Sequence, residues 1–204
     1  MGIILGMIQH NLLHRQTAVS YPTYREIIRQ MVDNNSTSGK EQSETRVNFT
    51  ALNNRRMDRL DKTIKVPIDF ENRIAKFKDD ITWLVITESW CGDAVQIIPV
   101  IYKVAQLNKG INLRLVFRDQ NEDLMDLFLT NGTRAIPKLI MIDNEDEQVI
   151  GSYGPRPSTV TKIVEEFKQI HGKLTPEFKE DLQRWYNNDK GLTIMEDLAN
   201  LLRV

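Results

Sequence analysis

Hydrophobic positions recur at two different spacings along this chain, and the changes of spacing divide it into three parts. From Tyr21 to Val32 the apolar side chains fall at Tyr24, Ile27, Ile28 and Met31, the i, i+3, i+4, i+7 pattern of an amphipathic helix. Ser43 to Asp61 repeats the helical spacing with more charge, and Val47, Ala51, Met57 and Leu60 form its candidate inner face. Asn34-Asn35-Ser36-Thr37-Ser38-Gly39, between the two, has no apolar position and reads as a polar linker. From about Phe70 the texture changes. Phe70 to Phe77 is a short amphipathic helix, and Ile81 to Thr87 (ITWLVIT) is a β-branched and aromatic run suited to a buried strand. A helix from Cys91 to Leu107 stops at Gly110, a strand follows over Asn112 to Arg118, and a helix over Asn121 to Leu129 ends at Asn131-Gly132. Leu139 to Ile142 and Gln148 to Ser152 flank the acidic turn Asp143 to Asp146 as a hairpin. Ser158 caps a further helix with Val160, Ile163, Val164 and Phe167 inward.

Helices alternating with four strands predict an α/β domain over residues 70–171. The tail is helical again. Thr175-Pro176 opens a helix with Phe178, Leu182, Trp185 and Tyr186 on one stripe. After the break at Gly191, Thr193 to Glu196 has the form of a capping box. The expected organisation is a helical extension over 1–69, the α/β domain, and a helical extension over 172–204. Both extensions pack on the centre, because each carries an apolar face with nothing else to cover it.

Composition narrows the function classes. The chain has 204 residues, 41% of them hydrophobic, enough for a sizeable core. With 27 Lys+Arg against 28 Asp+Glu the net charge is −1, which offers nucleic acid no general cationic field. The local cluster Arg55, Arg56, Arg59, Lys62 and Lys65 is interleaved with Asp58 and Asp61 and lacks stacking aromatics, so it reads as a solvated helix face before an anion patch. The single cysteine excludes an intramolecular disulfide and a Cys₂His₂ or Cys₄ zinc site. His10 and His14 have i, i+4 spacing but no third ligand in view. The apolar opening, Met1 to Leu13, has no basic residue ahead of it and is broken by Gln9, His10 and Asn11. It is also shorter than the ~18 residues of a spanning helix, and reads as a short amphipathic extension or an upstream start codon. The expectation is a cytoplasmic protein with no membrane and no nucleic-acid partner.

One stretch carries chemistry: Glu88-Ser89-Trp90-Cys91-Gly92-Asp93-Ala94, at a strand-to-helix junction. A thiol at a helix N-terminus is favoured as thiolate by the backbone N–H groups and the helix dipole. Asp93 opposes that shift with its own negative charge, and the sign of the sum stays open at this level. Gly92 leaves the sulfur approachable. Trp90 can shield it or cap the core, and Glu88 is either a proton carrier or an ordinary loop carboxylate.

Trp90-Cys91-Gly92, then Pro99 eight positions after the cysteine, then Gly132-Thr133-Arg134-Ala135-Ile136-Pro137, then a hairpin followed by Gly154, resembles the thioredoxin superfamily over roughly residues 76–170. The resemblance implies a thioredoxin-like α/β fold, a sheet of about four strands with helices on both faces. It implies that Pro99 kinks the active-site helix, and that Pro137 is cis, facing the cysteine loop. The backbone of Ile136 would then pair with a bound peptide or glutathione, and Arg134 beside it is a candidate for a ligand carboxylate, although most surface arginines are simply solvated. The whole chain further resembles an uncharacterised bacterial branch carrying Trp-Cys-Gly-Asp and helical extensions. The departures are as informative. The resolving cysteine position holds Ala94, and the positions of the family's buried acid and lysine hold Val85 and Leu115. A self-contained dithiol cycle is therefore excluded. What the resemblance implies is a monothiol redox protein with Cys91 as attacking thiol, shaped by Trp90, Gly92, Asp93 and Pro137. It needs no bound cofactor and takes glutathione or another low-molecular-weight thiol as co-substrate, acting on a protein or peptide thiol or disulfide. The alternative is a redox-inactive binding module that holds a partner in the groove by Pro137. An iron–sulfur role like that of monothiol glutaredoxins fits less well, because Asp93-Ala94 departs from their motif.

Overall fold

The computed structural model describes residues 17–204. The apolar opening and the His10/His14 pair lie outside the described residues. Ser20, whose hydroxyl accepts from the N–H of Thr23, caps α1 (Tyr21–Asp33). It is followed by α2 (Glu44–Thr63) and α3 (Ile68–Ile74), then β1 (Ile81–Thr87), α4 (Ala94–Ala105) and β2 (Ile111–Phe117). A 3-10 turn leads to α5 (Glu122–Asp126), β3 (Lys138–Asp143), β4 (Val149–Tyr153), α6 (Ser158–His171), α7 (Pro176–Asp189) and α8 (Leu192–Leu202).

The four strands form one mixed sheet in the order β2-β1-β3-β4. β1 runs parallel to β2, with Val85 opposite Leu115, and antiparallel to β3, which pairs antiparallel with β4. Every residue of β1 is buried, which is why it reads as a continuous apolar run rather than an alternation. Val19 adds an antiparallel bridge to Leu115, with two backbone hydrogen bonds of 2.9 Å. It covers part of the edge that β2 would otherwise present.

The core is continuous from α1 to α8. α4 packs on α2 and α8, and α8 also meets α3 and α6. Gly191 sits at φ +85° where an added Cβ would come within 2.7 Å of Val100, so α7 can turn into α8 only against a residue with no side chain. Arg73 holds the C-terminus with a two-pronged bond to Glu196 (2.7 and 2.9 Å) and a bond to the Val204 carbonyl (3.1 Å). α1 and α2 are joined through Arg25, 2% exposed, which reaches Asp58 (2.8 Å), Asp61 (3.3 Å) and Asn54 (3.0 Å).

Several local expectations are revised. The helix expected from Cys91 begins at Ala94. The capping box at Thr193 does not form: α8 starts at Leu192, and Thr193 gives its N–H and hydroxyl to Asp189 from the preceding helix. Ser158 does not cap α6 with its own oxygen either. Asp197 accepts its N–H (2.8 Å) and its hydroxyl (2.7 Å), so a tertiary carboxylate replaces the local cap. The inner face of α2 is Thr50, Asn53 and Met57. Met57 is buried there as expected, whereas Val47, Ala51 and Leu60 are only half-buried; Thr50 and Asn53 take their place because the same face meets the polar cysteine loop at Ser89.

Burial pushes the hydroxyls of Tyr21, Tyr24, Tyr153 and Tyr186 above their ordinary range. Above about pH 10 the unfolded chain releases these protons while the native chain retains them, so stability falls as pH rises. The melting temperature is expected to drop by several degrees between about pH 9 and 11. A flat profile in that window would contradict the burial of these rings.

Candidate functional site

β1 delivers the chain into Glu88 and Ser89, both buried, then half-buried Trp90 and buried Cys91, before α4 begins. What holds this loop comes from the segment that reads as a linker. The hydroxyls of Thr37, Thr50 and Ser89 lie within 2.6 to 3.1 Å of one another. The N–H of Ser38 donates to Ser89 Oγ (3.0 Å), and the N–H of Ser89 returns a bond to Ser38 Oγ (2.8 Å). The Ser38 hydroxyl donates to the Glu88 carboxylate, whose other oxygen accepts the N–H of Asp119 (2.8 Å). Burial raises the pKa of Glu88. Its place in this network makes it a clamp between the linker and the 3-10 turn rather than a free loop carboxylate. From α2, Asn53 donates to the carbonyls of Ser89 (2.9 Å) and Cys91 (3.2 Å).

Cys91 is 8% exposed and its thiol donates to the carbonyl of Ile136 (3.3 Å). The structure thus brings Cys91 and Ile136 together, with the Ile136–Pro137 peptide bond in the cis form. Gly154 backs the same turn at φ +104°. A Cβ there would lie 2.3 Å from the Pro137 carbonyl, so only glycine allows this approach. Around Gly92 the space within 4 Å is open.

The charge beside the thiol is a pair. Asp93 accepts from Arg156 (2.7 Å) and from the hydroxyl of Tyr186 (3.1 Å), a residue of the C-terminal extension. Burial raises the Asp93 pKa and Arg156 opposes the rise. For Cys91 burial is again the largest influence and the Asp93 charge the second. Against them stand the N–H groups of Ala94 and Asp93 and the charge of Arg156, and the thiol is pushed up to about 12. The question left open by the sequence resolves toward the protonated thiol.

Trp90 is half-buried between two cations, with Arg46 4.3 Å and Arg118 5.2 Å from its ring. Arg134 does not face the thiol with a free guanidinium. It makes a two-pronged bond to Asp126 (2.7 Å twice) and a third bond to Glu122 (2.6 Å), so its carboxylate partners belong to the chain itself. Sequence reasoning missed Asn53, Tyr186 and Arg156. Asn53 and Tyr186 lie in helices outside the recognisable motif, and Arg156 lies between Pro155 and Pro157, where no spacing marks it.

Trp90, Cys91, Gly92, Asp93 and Arg156 form one wall of a groove of about 940 Å³, and α2 and α7 form the other with Phe49 and Leu182. The volume is that of a small-molecule or short-peptide site. No helix among the described residues is long and apolar enough to cross a membrane.

The family described as Thioredoxin matches residues 39–168, and the chain belongs to it. Two solved structures share the fold. A protein of unknown function from Pseudomonas aeruginosa is 19% identical with a TM-score of 0.59, the alignment covering 75% of this chain and 85% of that one. An HIV epitope scaffold is 18% identical with a TM-score of 0.54, covering 91% and 98%. No curated protein matches the chain.

Proposed function

We propose that this protein is a cytoplasmic monothiol thioredoxin-like oxidoreductase of the Trp-Cys-Gly-Asp type, with Cys91 as its exchanging thiol. The observation that carries the proposal is the position of the Cys91 sulfur. It lies in the wall of the groove, bonded to Ile136 and within the influence of the Asp93 and Ala94 N–H groups and Arg156. Three groups that favour a thiolate lie beside the sulfur, outweighed in the free protein by burial and the Asp93 charge.

The chemistry is two exchanges. The Cys91 thiolate, having lost its proton to solvent, attacks one sulfur of a partner's mixed disulfide. A bond from Cys91 forms, the partner's disulfide breaks, and the departing thiolate takes up a proton. A low-molecular-weight thiol, as its thiolate, then attacks the sulfur bound to Cys91, which leaves as thiolate. Each step breaks one disulfide and forms one, so no external oxidant is required, and Ala94 has no part in either. Ile136 and Pro137 supply the backbone edge along which a peptide partner lies.

A second reading rests on the raised pKa of Cys91 and its 8% exposure: the groove holds a peptide or protein partner and the thiol is a packing group. The two readings separate in one experiment. The protein is incubated with a glutathionylated peptide, and both adduct and released thiol are followed by mass spectrometry. The exchange reading expects a Cys91 adduct that glutathione clears, and no turnover by Cys91→Ser. A protein that retains the peptide equally well as Cys91→Ser, and never forms the adduct, is a binding module.

A further inference from the structure

α2 carries Arg55, Arg56 and Arg59 on one flank and Asp58 and Asp61 between and beyond them. In isolation these charges would neutralise one another along the helix. The fold separates them. Asp58 and Asp61 are drawn to the opposite flank by the buried Arg25, and Asp61 also accepts from Tyr21 (2.6 Å). Arg55, Arg56 and Arg59 are left within ion-pair distance of no carboxylate among the described residues, while every other arginine that bounds the groove walls, Arg46 and Arg156, has one. They face α7 across a pocket of about 250 Å³, which also has Gln96, Gln183 and Asn187 on its walls and no acid. The amides are fixed. Gln96, 4% exposed, donates to Gln183 (2.8 Å), and Asn187 accepts from Arg59 (2.8 Å). Burial and the neighbouring charge of Arg59 lower the pKa of Arg56.

Three guanidinium groups and three neutral amides around a small concavity suit a phosphate or diphosphate, whose several oxygens accept forked bonds in more than one direction. The pocket is below the roughly 300–1,000 Å³ that encloses a whole small-molecule ligand, so it holds one charged group and not an entire molecule. Arg56 and Gln183 belong both to this pocket and to the groove of Cys91. The two concavities therefore adjoin at Arg56 and Gln183.

We infer that the pocket of Arg55, Arg56 and Arg59 binds the phosphate group of a phosphorylated low-molecular-weight thiol, whose sulfur end lies along the groove at Cys91. The phosphate site stands on its own geometry; the thiol end rests on the exchange reading of Cys91. The solvated helix face expected from the sequence becomes, in this arrangement, the recognition end of the co-substrate site.

The test is calorimetric titration of the full chain carrying Cys91→Ser, which removes exchange from the readout. Pyrophosphate and coenzyme A, a thiol bearing a diphosphate, serve as probes. Both are expected to bind saturably, and Arg55→Gln with Arg56→Gln is expected to weaken them about tenfold or more. Arg184→Gln, whose residue pairs with Asp181 outside the pocket, should change nothing. Glutathione, which has carboxylates and no phosphate, should lose less affinity than coenzyme A from the double substitution. Absence of pyrophosphate binding, or binding that survives the double substitution, overturns the site. Binding of a short oligothymidylate as tight as that of coenzyme A overturns the small-molecule assignment in favour of nucleic acid. In the chain with Cys91 intact, coenzyme A should slow alkylation of the thiol, and the double variant should lose that protection. Phosphate binding without protection overturns the thiol ligand, whereas binding and protection without exchange would overturn only the redox reading.

Discussion

Asp93→Asn is expected to raise the rate at which iodoacetamide alkylates Cys91 at pH 7 by about tenfold or more. The effect is electrostatic. The thiol is held up by burial and by the Asp93 charge, and held down by two backbone N–H groups and Arg156. Asparagine removes one charge and keeps a polar group for the Tyr186 hydroxyl. Arg156, no longer neutralised, then acts on the sulfur alone. A like charge close to a titrating group is worth about one pKa unit or more, and one unit is tenfold in thiolate. Arg156→Gln should move the other way, because it leaves Asp93 and removes the opposing cation. In the parent protein the rate should keep climbing tenfold per pH unit through pH 10, consistent with a thiol near 12. The pH profile of alkylation checks the parent and both variants. A parent plateau near pH 7, or no difference between Asp93→Asn and Arg156→Gln, would show that the pair does not control the thiol. The same arrangement suggests how a substrate engages it: any group that draws Arg156 away from Asp93, or protonates Asp93, changes the charge beside Cys91 without moving the backbone.

The parts of this molecule legible in its sequence are those governed by local pattern. β1 reads as buried because all seven of its residues are apolar, β-branched or aromatic, and α7 declares its start through Thr175 and Pro176, where the threonine does accept the Phe178 N–H (3.2 Å). The order of motifs around Cys91 and Pro137 marked the thioredoxin-like fold. What stayed hidden depends on contacts between distant segments. Asn34 to Gly39 is polar by composition, and nothing local distinguishes a solvated linker from one whose Thr37 and Ser38 are buried against the cysteine loop. On α2 the apolar period finds Met57 but not Thr50 and Asn53, because the buried stripe also faces the polar cysteine loop, where these two bond Ser89. Arg55 and its neighbours look neutralised along the sequence, and only the tertiary pull of Arg25 on Asp58 and Asp61 leaves them bare. Arg134 is the reverse case, an arginine placed by the motif near the site and already occupied by Asp126 and Glu122.

Asn53→Ala is expected to destabilise the protein by about 2–4 kcal/mol and to loosen the cysteine loop at the same time. Asn53 is 1% exposed, and its amide is the side-chain donor to two carbonyls, those of Ser89 and Cys91. Alanine leaves both carbonyls without that donor, and a buried group deprived of its partner costs about 1–3 kcal/mol, with a further contribution from the volume removed. Against this stands a small relief, since Asn53 Oδ1 is itself buried without a partner, which keeps the expected total below the sum of two full losses. Urea denaturation gives the stability change as a lower midpoint at unchanged slope. The loop effect is read separately, by hydrogen exchange at the amides of Ser89 to Asp93 under native conditions, which should accelerate more than exchange in β3. Leucine at the same position fills the volume but donates nothing, so Asn53→Leu should recover part of the stability and none of the loop protection. If both variants match the parent within about 0.5 kcal/mol, α2 is an appendage. If they behave as stated, the helix that precedes the recognisable motif is part of the cysteine site, and the site cannot be assembled from β1, α4 and β3 alone.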